Sequence, residues 1–231
     1  MLVELINSMV GEEQQFTPES VVSTPQKVIS NYIDLHTQVQ LHEVLGEERD
    51  KARVNSVGMQ RAGDLLNAAP IKSLGLHLRA KEFTVAVKYR LGIRVFPTEG
   101  PCVACGQESD VYGDHTIGCS YEGERIYRHN VLRNALYDTC KQASLAPAKE
   151  QSALIPGSQA RPADIYLPGL ADGRDTALDV CVVSPLQILY RNKAAEEAGS
   201  AVECRHRDKM KYYHACDGEG IHFAPLAAHR T

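Results

Sequence analysis

Residues 161–183 read RPADIYLPGLADGRDTALDVCVV, two short aliphatic runs on either side of a Gly- and Asp-rich turn at 169–175. Alternation near period 2, β-branched content and turn residues at the junction read as two strands of a hairpin. A third run of the same kind, SALIP at 152–156, precedes them. Upstream, RIYRHNVLRNALYDTCKQA at 125–143 places Ile126, Val131, Leu132, Ala135, Leu136 and Cys140 on one stripe opposite a basic face, the pattern of an amphipathic helix. Downstream, residues 205–216 return to helical spacing, and a Gly-Glu-Gly turn at 218–220 leads into a last apolar run, IHFAPL. The second half of the chain therefore predicts the order α-β-β-β-α-β, an α/β unit.

Each run of the hairpin carries one carboxylate, Asp164 in RPADIYLP and Asp179 in ALDVCVV. Paired strands would set the two side by side at one end of a sheet, where hard oxygen ligands can hold magnesium and present a scissile phosphate to an activated water. Glu150, just before the first run, offers a third oxygen. By spacing alone the pair also fits turn or edge carboxylates bonded to backbone or arginine. An acid inside a run as apolar as ALDVCVV nevertheless demands a partner or a metal, because burying it alone is costly. The densest positive cluster, RHRDKMKYY, carries Arg205, Arg207, Lys209 and Lys211 on the helix that follows, with Lys209 and Tyr213 four apart on one face. Arg125, Arg128, His129 and Arg133 form a second basic strip on the preceding helix. Either strip reads as a phosphate contact or as a solvated helix face.

Between residues 96 and 123 the texture changes to Gly, Pro, Cys and Asp. Cys102-x2-Cys105 followed by His115-x3-Cys119 supplies three thiols and an imidazole within eighteen residues. This is a tetrahedral zinc ligand set with no open position, hence structural zinc, and a segment this poor in apolar residues would take its folding free energy from the metal. The remaining cysteines, 140, 181, 204 and 216, read as small core residues, and His36, His42, His77, His222 and His229 carry no argument. The region before the cluster is mainly helical. Thr24-Pro25 opens one or two amphipathic helices to about residue 57, and shorter helices follow at 61–67 and 80–91. Residues 1–23 are polar and irregular and are expected to be disordered.

Composition narrows the classes. The chain has 231 residues, 43% hydrophobic and 23% charged, which is a globular profile. Lys and Arg number 25 against 29 Asp and Glu, a net charge of −4, so any nucleic-acid affinity must come from a local patch. No apolar run reaches the ~18 residues of a membrane span, seven cysteines do not form a secreted disulfide framework, and the expectation is an intracellular protein without a membrane partner. With no Trp and 6% aromatic residues, broad base-stacking platforms are disfavoured.

Taken in order, CVAC, GDHTIGC, ERIYRHN, RPAD, ALDVCVVSPL and KMKYY resemble the restriction-like endonuclease at the C-terminus of some non-LTR retrotransposon polyproteins, preceded by its CCHC zinc knuckle. The stretch AGDLLNAAPIKSLGLHLRAKEFTVAVKYRLGIRVFP is similar to the helical connector of such elements. The resemblance implies a helical connector at 1–95, a knuckle at 96–122 and a PD-(D/E)XK nuclease fold at 123–231. It also implies magnesium on Asp164 and Asp179 assisted by Glu150, and catalysis by a lysine of the following helix, best matched by Lys209 and next by Lys211, with Tyr212 or Tyr213 beside it. Position 181, a lysine in the general fold, is cysteine here, as the retrotransposon group allows. The implied activity is nicking of chromosomal DNA with structural zinc and catalytic magnesium. The implied partners are DNA and the RNA of a parent element, and the implied place is the nucleus. The basic contacts would be Arg125, Arg128, His129, Arg205, Arg207, Lys211 and Tyr213. No polymerase motif is present and APLAAHRT lacks the family's Gly- and Trp-containing tail, which implies a truncated or isolated fragment. Two other classes fit the same residues: a non-catalytic zinc module that binds nucleic acid or protein, and an interaction domain that docks through its helical first ninety residues.

Overall fold

The computed structural model describes residues 2–119, 121–157, 161–212 and 214–229. The first 23 residues, expected to be irregular, carry α1 (Leu2–Asn7), a 3-10 turn and α2 (Pro18–Ser23). Thr17 and Ser20 cap α2 reciprocally and Pro18 occupies its first turn, while α1 buries Ile6 and is tied to Phe16 through Asn7, so capping and contacts with the rest of the chain hold these short pieces together. The helix expected from Thr24 onward is split into α3 (Gln26–Val44) and α4 (Glu48–Val57), followed by α5 (Asp64–Asn67) and α6 (Ala80–Leu91).

The cysteine-rich segment contains the two-residue strands β1 (Gly100–Pro101) and β2 (Glu108–Ser109), paired antiparallel, and the five-residue helix α7 (Asp114–Gly118). Then come α8 (Glu124–Gln142), β3 (Ala148–Lys149), β4 (Ile165–Ala171), β5 (Arg174–Val183), α9 (Ile188–Glu196), α10 (Ser200–Tyr212), α11 (Ala215–Gly218) and β6 (His222–His229). Helices with a mixed sheet make this an α/β chain. The sheet runs β3-β4-β5-β6, with β3, β4 and β5 antiparallel and β6 parallel to β5.

Two expectations are corrected. SALIP is not a strand; the pairing residues are Ala148 and Lys149, and positive φ at Glu150 (50°) and Ala153 (58°) breaks the extended run between. One helix was expected between the last two strands, and three occupy that interval.

β5 is the central strand, and its run Thr176–Val183 is buried on both faces except at Leu178 and Val182, which explains its near-continuous hydrophobicity. Ala163, Ala177, Cys216, Ile221 and Phe223 form the core on one side of the sheet. A second core joins the two halves of the chain: Ala52 on α4 and Tyr89 on α6 pack with Leu186, Ala194 and Ala195. Asn55 donates to the carbonyls of Ala194 and Ala195 at 3.0 and 2.9 Å, which fastens α4 to the end of α9.

Candidate metal and phosphate site

Register puts the two hairpin acids together. Ile165 pairs with Leu178, and the Asp164 amide donates to the Leu178 carbonyl at 2.9 Å, so the same register sets Asp164 opposite Asp179. The Val180 amide donates to Asp164 Oδ2 at 2.7 Å, which draws that carboxylate toward β5. On the facing side His129 Nε2 of α8 lies 3.0 Å from the same oxygen, as donor in the Nε2-protonated tautomer. Lys209, on α10, brings its ammonium to 2.7 Å from Asp179 Oδ2. The contact is a close charge-assisted one between an ammonium and a buried carboxylate oxygen.

All four groups line one cavity of about 650 Å³, together with Arg125, Arg128, Arg161, Arg205 and Cys181. Burial pushes the Asp179 carboxyl above the usual carboxylate range, and the nearby Asp164 charge adds to this, while Lys209 and His129 oppose it. Burial likewise raises the Cys181 thiol, with the Asp179 charge acting the same way. The site thus holds two neighbouring acids in a low-dielectric wall and surrounds them with cations, an excess of positive charge suited to a phosphate.

The remaining sequence candidates fall in different places. Arg125, Arg128, His129 and Arg205 share the cavity, whereas Arg207 is exposed and outside its lining. Lys211 lies on α10 with its side chain outside the described residues, as is that of Tyr212, and Tyr213 falls outside them altogether. Glu150 is not among the cavity residues. Its carboxylate is engaged by Arg133, with Arg161 at 3.6 Å, while its amide donates to the Asp164 carbonyl at 3.1 Å. Arg161 is a cavity cation that spacing did not single out, although it stands in RPAD itself.

The second candidate is the Cys102, Cys105, His115 and Cys119 cluster. One ligand atom from each lies within 4.8 Å of all the others, with Cys105 Sγ 3.2 Å from His115 Nε2. Tetrahedral zinc requires ligand separations of roughly 3.4–3.8 Å, so four such atoms need only small movements to enclose an ion. A tight turn starts the cluster: the Gly106 amide donates to the Cys102 carbonyl at 2.8 Å, and φ of 73° there suits glycine. Amides of Cys105 and Ala104 that donate to Cys102 sulfur pull its thiol down to about 6, favouring the thiolate a metal needs. These four residues could hold a metal such as zinc.

Buried polar contacts fix this cluster to the rest of the chain. Asp110 accepts the amides of Tyr112, Gly113, Asp114 and His115 at 2.7–3.1 Å and so orders the start of α7. Arg49 of α4 grips Asp114 with two bonds of 2.6 and 3.0 Å and lies 4.0 Å above the Tyr112 ring. Sequence reasoning missed Arg49, since its partner is 65 residues away. Asp110 did have a signal, an acid shortly before a helical turn.

No protein-family model, curated protein or solved structure matches the chain.

Proposed function

We propose that this chain is a metal-dependent DNA endonuclease module of the restriction-like type that its motifs resemble, with a zinc-stabilised knuckle beside the cleavage cavity. The observation that carries the reading is Asp164 and Asp179 opposite one another in a cation-lined cavity with Lys209 at 2.7 Å from Asp179. The element order of helix, three antiparallel strands, helices and a parallel strand supports a restriction-endonuclease-like core.

The acids fit a magnesium site in chemistry, being two neighbouring hard oxygen donors that line one cavity. Asp164 and Asp179 would hold the ion, which when bound polarises a phosphodiester and lowers the pKa of water. Lys209 supplies positive charge where negative charge develops on the phosphate oxygens. Arg125, Arg128, Arg161 and Arg205 bind the neighbouring phosphates, and the resemblance implies a 5′ phosphate and a 3′ hydroxyl as products. Glu150 is not among the residues that line the cavity, and Arg133 engages its carboxylate.

One observation favours the non-catalytic reading: His129 and Val180 already satisfy Asp164 Oδ2, and Lys209 neutralises Asp179. Nicking of supercoiled plasmid with Mg²⁺ by the native chain and by Asp179→Ala decides between them. Activity lost in the variant supports the endonuclease. Equal nicking by both removes the site assignment, and DNA binding without nicking by the native chain selects the zinc-stabilised binding module.

A further inference from the structure

The short helix α7 connects the cysteine-histidine cluster to the cavity. Five residues are far too few for a helix to persist alone, and here ligand residues bracket it: His115 lies in its first turn and Cys119 follows its last residue. Its starting amides are held by Asp110, and its last carbonyls are those a helix leaves without internal partners. One of them, the Ile117 carbonyl, accepts a 2.8 Å hydrogen bond from Arg128 Nη2 of α8. Ile117, Gly118 and Arg128 all line the cavity that contains Asp164 and Asp179. The same short helix therefore ends at a prospective metal ligand on one side and holds a cavity cation on the other.

From this geometry we infer that metal in the cysteine-histidine cluster sets the phosphate-binding wall of the cavity, with α7 as the brace and the Ile117 carbonyl as the group that positions Arg128. The cluster then does more than fold its own loop. Its occupancy controls whether Arg128 faces a nucleic-acid backbone in a fixed direction. The inference deepens the endonuclease reading in what it says of phosphate contacts, but its mechanical part stands on the protein alone.

The test has a DNA arm and a protein arm. Binding of a fluorescein-labelled 20-mer duplex is followed by anisotropy, without Mg²⁺, for the native chain, Arg128→Ala and Arg205→Ala, each zinc-loaded and chelator-stripped. Stripping is expected to weaken binding about tenfold in the native chain, the value of one charge-assisted contact, and to lower the slope of log K against log salt by about 0.9. Arg205→Ala should show the same loss on stripping, and Arg128→Ala should show less than half of that slope change. An equal loss in all three proteins, as global unfolding would give, overturns the inference while leaving the nuclease reading to the plasmid assay. In the protein arm, modification of Arg128 by phenylglyoxal is mapped by mass spectrometry before and after stripping. A rise confined to Arg128 relative to Arg205 is the expected result, and an unchanged Arg128 refutes the brace even if no DNA is bound.

Discussion

Replacing Lys209 by methionine removes the ammonium 2.7 Å from Asp179 while nearly conserving side-chain volume. Both side chains are mostly shielded, at 19% and 8% exposure, so screening by water takes little from the interaction. At an effective dielectric of about 20, unit charges at that separation attract by about 6 kcal/mol. Desolvation of both groups offsets much of this, and removal of one member of a buried pair costs about 3–5 kcal/mol, because the other charge is left uncompensated. The cost depends on pH in a fixed sense. Burial raises the folded Asp179 carboxyl above its unfolded value, so the stability it contributes is fully present below the unfolded value and is lost as pH rises through the folded one. Without Lys209 the folded value climbs further and the loss extends to higher pH. Lys209→Met should therefore cost little near pH 4 and the full amount near pH 8, and adding Asp179→Asn should recover most of it. Urea unfolding of the four proteins of this cycle, compared at each pH in the same zinc state, measures both effects. A deficit independent of pH, or a double variant no more stable than Lys209→Met, would show that the two groups do not form the buried pair.

Elemental analysis should find about one zinc per chain, reduced to near zero by Cys119→Ser or His115→Ala; no zinc in the native chain ends that assignment. Arg49→Met leaves Asp114 buried with Arg191, at 3.9 Å, as its one remaining cationic neighbour among the described residues, and should destabilise the chain by about 3 kcal/mol. A loss below about 1 kcal/mol in urea unfolding would place that pair among exposed bridges of little value. In the plasmid assay, Asp179→Ala should fall to background while retaining the zinc of the native chain.

What the sequence revealed and concealed follows from how far apart the interacting residues lie. The zinc ligands fall within eighteen residues and are read from spacing, whereas the turn register, Ala171 with Arg174, would set Asp164 opposite Cys181, and an irregularity between Leu167 and Ala171 that spacing does not show shifts the pairing by two so that Asp164 meets Asp179. The cap of α2 is also local, in Thr17-Pro18-x-Ser20, but the helix is too short to show a periodic face. α9 was invisible for another reason: Ile188 and Leu189 are 86% and 81% exposed, whereas burial falls on Ala194 and Ala195, so the apolar pattern points the wrong way. The contacts His129 to Asp164, Arg49 to Asp114 and Arg133 to Glu150 are all made in three dimensions, and no local spacing encodes them. Glu150 shows the consequence, since an acid placed beside a strand by sequence was claimed by an arginine from α8.

Charge in the cavity bears on the order in which it is filled. Arg125, Arg128, Arg161, Arg205 and Lys209 face Asp164 and Asp179, five positive groups against two negative, a local charge of +3 before Glu150 tempers Arg161. A free divalent cation entering this field meets net repulsion, and a phosphodiester entering with it brings the missing negative charge. Under the endonuclease reading the two ligands therefore assist each other, and the coupling must be the same whichever is added first. At constant ionic strength, Ca²⁺, which occupies oxygen sites without standing in for magnesium's chemistry, should tighten duplex binding by about tenfold in the native chain and leave Asp179→Ala unaffected. Under the binding-module reading no metal joins the acids, and a divalent ion acts only by competing for phosphates, which weakens binding. The two readings thus differ in the sign of the shift, and a weakened native complex would count against a cation between Asp164 and Asp179 without any appeal to cleavage.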